Sequence, residues 1–471
     1  MSNSQTSRFK TGKGDLTQGD LSRHLIRLSL PMTWGIGAIV SFQLVDMYYI
    51  SQLPRTDHLA AISFTFPVTF ALFSIIMGFG IAMSSVVSRL IGAGDDDLVK
   101  RVTTHGLILV FGLVGTLATL GYFLQDALFK PMVAKEDHAV ILPLIRDYMS
   151  IWFAGAVFVS MPLVGNAAIR AGGDTFIPAM IMTIVAVMNV ILDPILIFGL
   201  FGFPRMELEG AALATVISNA VAMFAGLYVL GVRNKMLCAW NAMHFSKFWD
   251  SSKRLLFIAL PAGLANSIQP LVNALIISLL AGYGTEAVAA YGIVTRIEAF
   301  AFIILMGVAV GMAPIIGQNF GAGNFDRIKT TLKLAIGFSV IWSLFIAVIL
   351  GSFAKPISQL FENDPKIIEY TTLFFWIVPI TYMFSNLIRG WASAFNAMGK
   401  PQRSVMMIIG EMVILMIPAI YIGNHLGGVM GIFIAMAIVN VLAGTIFHLW
   451  SWNSCRLMEK SRTETSPAPQ H

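Results

Sequence analysis

Gly78-Phe79-Gly80-Ile81-Ala82-Met83 and Gly307-Val308-Ala309-Val310-Gly311-Met312 are two versions of one pattern, and reading them as such decides the fold. The alignment between them runs on without a gap: Gly92-Ala93-Gly94 meets Gly321-Ala322-Gly323, Asp97 meets Asp326, and Lys100 meets Lys329. Upstream, Leu30-Pro31 answers Leu260-Pro261; downstream, Gly173 and Asn219 answer Gly399 and Asn440. The chain is a duplication in which each copy holds six apolar runs. Six crossings return a chain to the side it left, so both copies enter from one side, as a parallel repeat about an axis along the membrane normal. Two lobes with a cavity between them follow.

The composition requires a membrane. Of 471 residues, 56% are hydrophobic and only 12% charged, whereas a soluble domain is about a quarter charged. At roughly 20 apolar residues per spanning helix, the runs accommodate about twelve crossings. The expected fold is all-α: a polytopic membrane protein of twelve transmembrane helices in two pseudo-symmetric six-helix lobes. Residues 1–24 form a cytoplasmic segment, 25–232 the N-lobe, 233–254 a cytoplasmic linker, 255–453 the C-lobe and 454–471 a cytoplasmic tail. Basic residues sort by alternate loops. One side holds Arg8, Lys10, Lys13, Arg89, Lys100, Arg101, Lys253, Arg254, Arg327, Lys329 and Lys400 among others; the opposite side holds only Arg55, Lys130, Lys135, Arg205, Lys355 and Lys366. The excess marks the first side, and with it both termini, as cytoplasmic.

Residues 1–20 are polar and are not expected to be a cleaved signal peptide. Cys238 and Cys455 lie far apart in cytoplasmic regions and read as free thiols, without disulfide or metal-ligand spacing. The net charge of +6 follows from the loops and needs no nucleic acid.

Within the apolar runs, Met188-Asn189-Val190-Ile191-Leu192-Asp193-Pro194 stands out. An aspartate at the centre of a membrane helix costs about 2.5–3.5 kcal/mol on insertion scales, so it is kept where it faces a bundle interior or a water-filled cavity. Asn189 and Asp193 are four apart and share a helix face, and Pro194 frees a backbone carbonyl one turn earlier. Asp46 sits in a second apolar run, and Thr215 follows the small-residue stretch Gly210-Ala211-Ala212. Asp46, Asp193 and Thr215 fall roughly 10, 13 and 9 Å from the outer ends of their helices. Three helices of one lobe can therefore converge on a site for a proton or a small cation. The second lobe lacks it, with Ile276, Ala419 and Met436 in the answering positions.

With these features the sequence resembles the multidrug and toxic compound extrusion (MATE) family, within it the DinF branch, over about residues 20–455. The resemblance rests on the duplicated six-helix unit, the Gly-Ala-Gly turns, Pro31 and Asp46 of the first helix, and Asn189 to Asp193-Pro194 of the fifth. It implies a cation-coupling site at Asp46, Asn189, Asp193, Ala211 and Thr215, with Pro31 as a bending point. The NorM branch carries an acid in the seventh helix where this chain has Gln269 and Asn273, which argues for coupling through the first lobe alone. The implied activity is export of cationic or amphiphilic organic compounds in exchange for H+ or Na+, without a cofactor.

Other intramembrane charges admit structural readings. Gln269, Arg296 and Glu298 form a possible polar site in the second lobe, although Arg296 and Glu298, two residues apart, point to different sides of their helix. Arg389 and Glu411 lie at similar depth and read as a neutralising pair. Asp95-Asp96-Asp97 with Arg89, Lys100 and Arg101 reads as a solvated turn. The eight histidines are scattered at helix ends and loops without metal spacing. The 26 Met and 34 Phe are mostly packing and lipid-facing residues, some of which should line a cavity able to re-pack around ligands.

The leading reading is a secondary-active multidrug exporter, monomeric and surrounded by lipid, in the cell membrane (the inner membrane of a Gram-negative source). A flippase or exporter of a lipid-linked or polar metabolite is the alternative; it calls for a more cationic cavity than Arg146, Arg296 and Arg389 supply. A membrane enzyme is disfavoured because no catalytic set clusters, and ATP-driven transport because there is no P-loop.

Overall fold

The computed structural model describes residues 14–53, 57–238 and 245–465. The basic residues Arg8, Lys10, Lys13 and Arg55, part of the 233–254 linker and the last residues of the tail lie outside these. Every described element is helical. Helices are the natural outcome, because in hydrocarbon each backbone amide and carbonyl must be satisfied within its own segment.

The first copy contains α1 (Leu21–Ser51), α2 (Asp57–Ala93), α3 (Asp96–Phe129), α4 (His138–Ala171), α5 (Phe176–Phe198) and α6 (Glu207–Tyr228). The second contains α7 (Phe245–Ala281), α8 (Thr285–Ala322), α9 (Phe325–Ser352), the short α10 (Ala354–Phe361), α11 (Pro365–Ile377), α12 (Tyr382–Ala397), α13 (Pro401–Ile409) and α14 (Ile417–Thr465). Aspartates set several starts: Asp20 accepts from the Ser22 amide and Asp364 from those of Lys366 and Ile367, pairing amides the helix itself leaves free.

The second lobe reaches six crossings through broken helices. α11 and α12 form one crossing, interrupted at Pro379–Thr381 by a tight turn whose Thr381 hydroxyl accepts from Asn440 at 2.9 Å. α13 continues through a wider π turn, Gly410–Met416, into α14. α14 itself reverses at Gly427 and Gly428, the latter with φ 56°, so its two arms are the eleventh and twelfth crossings. The chain is thus a multi-pass membrane protein of twelve crossings in two lobes, as its sequence predicts. Two histidines depart from expectation: His105 is buried within α3 and bonded to Ser251 at 3.0 Å, and His448 within α14 bonds the Trp391 indole at 3.1 Å.

Each lobe has its own apolar core, yet the cores exchange ends. Leu16, just ahead of α1, and Leu21, Leu25 and Leu28, at its inner end, pack into the core of the second lobe. Leu255, Ile258 and Ala259, at the inner end of α7, pack into that of the first. The lobes also approach to backbone distance there. A Cβ on Gly92 would lie 1.9 Å from the Gln318 carbonyl oxygen, and one on Gly321 would lie 2.0 Å from that of Arg89. Gly92 and Gly321 are repeat partners, so α2 and α8 cross about the pseudo-symmetry axis where only glycine fits. The glycine approaches between the lobes begin at Gly37 with Ile303 and at Gly263 with Ser74 and continue inward from there, and the interlobe hydrogen bonds of Leu16, Ser85, His105 and Gln318 lie further in, on the cytoplasmic side. The molecule is closed towards the cytoplasm and cleft towards the outside.

Candidate functional site

α1 and α5 lie side by side in parallel. The Thr175 hydroxyl bonds the Arg27 carbonyl at 3.4 Å, the Trp34 indole bonds the Thr183 hydroxyl at 3.2 Å, and Gly35 meets Ala179. That register, continued outward, brings Asp46 level with Asp193. α6 runs antiparallel to α5 and comes close because Gly210 abuts the Leu196 backbone. Beyond that contact Thr215 donates its hydroxyl to the Asn189 side-chain oxygen at 3.2 Å, and the Asn189 amide donates to Val185 O at 2.9 Å. The small, buried Ala211 is on the same α6 face as Thr215, one turn earlier.

Asn189 and Asp193 are both fully buried. Among the described residues neither carboxylate oxygen of Asp193 has a hydrogen-bond partner, and Oδ1 of the half-buried Asp46 has none either. The two carboxylates are within electrostatic range of each other, and both act on Tyr148 of α4. Tyr148 is not marked by the sequence, since one tyrosine in an apolar helix carries no signal until its neighbours are known. The structure therefore brings Asp46, Asn189, Asp193, Ala211 and Thr215 into one neighbourhood with Tyr148 at its edge. Pro31 lies in α1, whose helix runs through it; the carbonyl it leaves free in the preceding turn is that of Arg27, the one bonded by Thr175.

The second-lobe residues divide. Gln269 bonds Asn273 at 3.4 Å, and Tyr291 reaches the same Asn273 oxygen at 3.5 Å. Glu298 accepts from the Tyr382 hydroxyl at 2.5 Å. Arg389 bonds Asn386 at 3.3 Å and lies over the Phe302 ring, 5.1 Å from its centre. The expected Arg389–Glu411 pair is not formed within ion-pair distance: Glu411 is buried in the π turn, and the Arg389 charge reaches Glu298 as well as Glu411. Equal depth fixed their height but not the side of the helix on which each stands. Arg146 is also reassigned, forming a two-pronged ion pair with Asp126 at 2.6 and 2.7 Å near the outer ends of α4 and α3.

Arg296 joins neither group. It is exposed, with no hydrogen bond or ion pair among the described residues. It shares its α8 face with Ile303, Gly307 and Gly311, which approach Gly37, Thr33 and Ser29 of α1. One further step outward along that face, where the lobes have parted, Arg296 faces the cleft roughly 16 Å below the outer end of α8.

Comparison with known proteins agrees with this architecture. The MatE family profile matches residues 31–195 and 261–422, one segment in each lobe. The chain is 38% identical to the FAD transporter of Shewanella oneidensis over 452 residues, 96% of this chain and 98% of that one. It is 29% identical to the multidrug export protein MepA of Staphylococcus haemolyticus over 453 residues, 94% and 96% of the two chains. The bent form of the Vibrio cholerae MATE transporter VcmN superposes with a TM-score of 0.86 at 29% identity, covering 93% of this chain and 97% of that one. A duplicated twelve-crossing fold and a family match that spans both copies lead to one conclusion: the chain belongs to the MATE family of membrane transporters and is not an enzyme.

Proposed function

We propose that the chain is a secondary-active exporter whose first lobe carries the coupling cation, H+ or Na+, while the second lobe's wall of the outward cleft takes the organic substrate. The buried, unpartnered carboxylate of Asp193, level with Asp46, carries the coupling half of this reading. Such a charge costs several kcal/mol in a low-dielectric interior unless something neutralises it. The two carboxylates can share a proton. Alternatively, Asp46, Asn189, Asp193 and Thr215 offer Na+ the hard oxygens it requires, with the Val190 carbonyl released by Pro194 as a further one. Occupancy changes the charge facing α1, and Pro31 gives that helix a place to bend.

For the substrate, Arg296 favours a molecule bearing negative charge. An arginine without partners at that depth is tolerated only in water, and the cleft is where a substrate waits. Together with the 38% identical FAD transporter, this supports export of an anionic aromatic metabolite of the flavin dinucleotide class. Cationic or amphiphilic drugs are the second reading, favoured by the acids Asp46 and Glu298 and by the likeness to MepA. A lipid-linked cargo would need an opening towards the bilayer as well.

The test is uptake into everted vesicles of FAD and, separately, of an aromatic cation such as ethidium, under an imposed pH or Na+ gradient. Gradient-driven FAD uptake that is lost in Arg296→Gln supports the first reading. Uptake of the cation alone, insensitive to Arg296→Gln, establishes the second. Normal export by Asp46→Asn or Asp193→Asn would remove the coupling site from consideration.

A further inference from the structure

The pseudo-symmetry of the cytoplasmic seam exposes a second site. Arg89 of α2 and Gln318 of α8 are repeat partners, and each lies at the inner end of its helix against the turn that closes a crossing of the opposite lobe. Gln318 occupies a notch filled by the chain's own N-terminal segment. Its Oε1 accepts from the Leu16 amide at 3.0 Å and its Nε2 donates to Ala171 O at 2.9 Å, while Gly14 rests on Gly173. Asn319 and Arg327 donate to the Leu16 carbonyl at 3.0 and 3.3 Å.

Among the described residues the twin notch at Arg89 has no such strap: the stretch that answers residues 15–19 ahead of the second copy is already the start of α7. It is a pocket of about 530 Å³ lined from both lobes. Its charged lining groups are Arg89, Lys253 and Arg254, with no acid among them; Leu90, Phe257 and Phe320 give it an apolar floor. The Arg89 guanidinium lies against Gly399, where any Cβ would come within 2.3 Å of it. Its Nε donates to Ser85 O at 3.1 Å, and the charge acting on it is another cation, Arg254. Asp250, which is not part of the pocket lining, pairs with Arg254 at 3.6 Å and with Arg101 at 3.9 Å. Lys253 rests over the Trp249 ring. Arg89, expected in a solvated turn, is instead folded half-buried into the seam.

Three cations above an apolar floor match a phosphate attached to an acyl chain. Phe257, Leu260 and Leu264, 55, 56 and 68% exposed, sit at i, i+3 and i+7 and carry an apolar stripe from the pocket up the outside of α7. We propose that this notch binds the phosphate headgroup of an anionic phospholipid from the cytoplasmic leaflet, its acyl chain lying along that stripe. The lipid fills the place that residues 14–19 fill in the twin notch. Because both lobes line the pocket, the bound lipid pins the cytoplasmic seam closed and favours the outward-facing state.

The full-length protein is reconstituted in nanodiscs of zwitterionic lipid with or without phosphatidylglycerol or cardiolipin. Retained lipid is read by native mass spectrometry and stability by thermal unfolding. The expected result is one tightly held anionic lipid per chain and a raised unfolding temperature. Affinity should fall about tenfold in Lys253→Gln and in Arg254→Gln, the loss of one charged phosphate contact. These exposed helix positions leave folding intact, and Arg89→Gln, which restores the twin's residue, gives a third reading. Retention equal to wild type in all three variants overturns the proposal. So does inorganic phosphate in zwitterionic nanodiscs that reproduces the whole thermal shift, which assigns the site to a free anion.

Discussion

The Gln318 side chain of α8 donates to the Ala171 carbonyl of α4 across the lobe boundary at 2.9 Å, and the same side chain holds Leu16 by its amide. This buried amide is a clasp between two bodies that must separate for the cleft to change sides. Removing it in Gln318→Ala leaves buried backbone groups unpaired, at about 1–3 kcal/mol. Spin labels at the exposed repeat partners Asp97 and Asp326 should report a second, longer distance in the variant. A single distance matching wild type would show that the clasp does not hold the seam.

Gly92→Ala acts on the same seam through volume. The new methyl would meet the Gln318 carbonyl at 1.9 Å, and a backbone atom has no rotamer to escape into. The helices must part at their inner ends, so the variant should populate the longer Asp97–Asp326 distance more than Gln318→Ala does. Gly94→Ala, whose Cβ meets nothing within 4 Å, controls for the site, although its positive φ makes it mildly strained.

Pro31→Ala restores an amide able to bond the Arg27 carbonyl and so competes with Thr175, which now holds that carbonyl at 3.4 Å. A stiffer α1, less firmly tied to α5, should slow turnover more than it weakens substrate binding. Comparing transport rate with equilibrium binding decides it; an equal loss in both would mean that Pro31 shapes the binding site instead.

If Asp46 and Asp193 share a coupling proton, substrate binding must expel it, because reciprocal linkage makes each ligand weaken the other by one factor. Purified protein at neutral pH without sodium should acidify an unbuffered solution when substrate is added, and Asp46→Asn should do so far less. Substrate binding that needs Na+ and releases no protons assigns the site to sodium.

Tyr382→Phe removes the short hydrogen bond to Glu298 and leaves that carboxylate with the more distant charge of Arg389. A stability loss of about 1–3 kcal/mol is expected from leaving a buried acceptor without its donor, read as a lowered unfolding temperature. Glu298→Gln in the same background should recover most of it. Failure to recover would show that Tyr382 stabilises through its ring packing on Phe302, 4.9 Å away between centres.

The sequence by itself determined the membrane class, the duplication, the twelve crossings and their orientation. Insertion free energies accumulate residue by residue along the chain, and the sorting of Lys and Arg between loops reads the same way. It also marked Asp46, Asn189, Asp193 and Thr215, because a polar group in hydrocarbon is expensive wherever its neighbours turn out to be. Tertiary structure alone decided which groups meet. Depth along an axis is additive, but the direction a side chain takes around its helix depends on packing against other helices. For that reason Arg389 and Glu411, level in the sequence, do not pair, whereas Tyr148, silent in the sequence, stands near Asp46 and Asp193, and Arg89, expected in a solvated turn, is folded into the lobe seam. The exchange of α1 and α7 between the two cores is likewise a property of the closed cytoplasmic state. It buries Leu16 near Gln318, 302 residues on, and Leu255 near Gly106 of the other lobe, a relation no local pattern can encode.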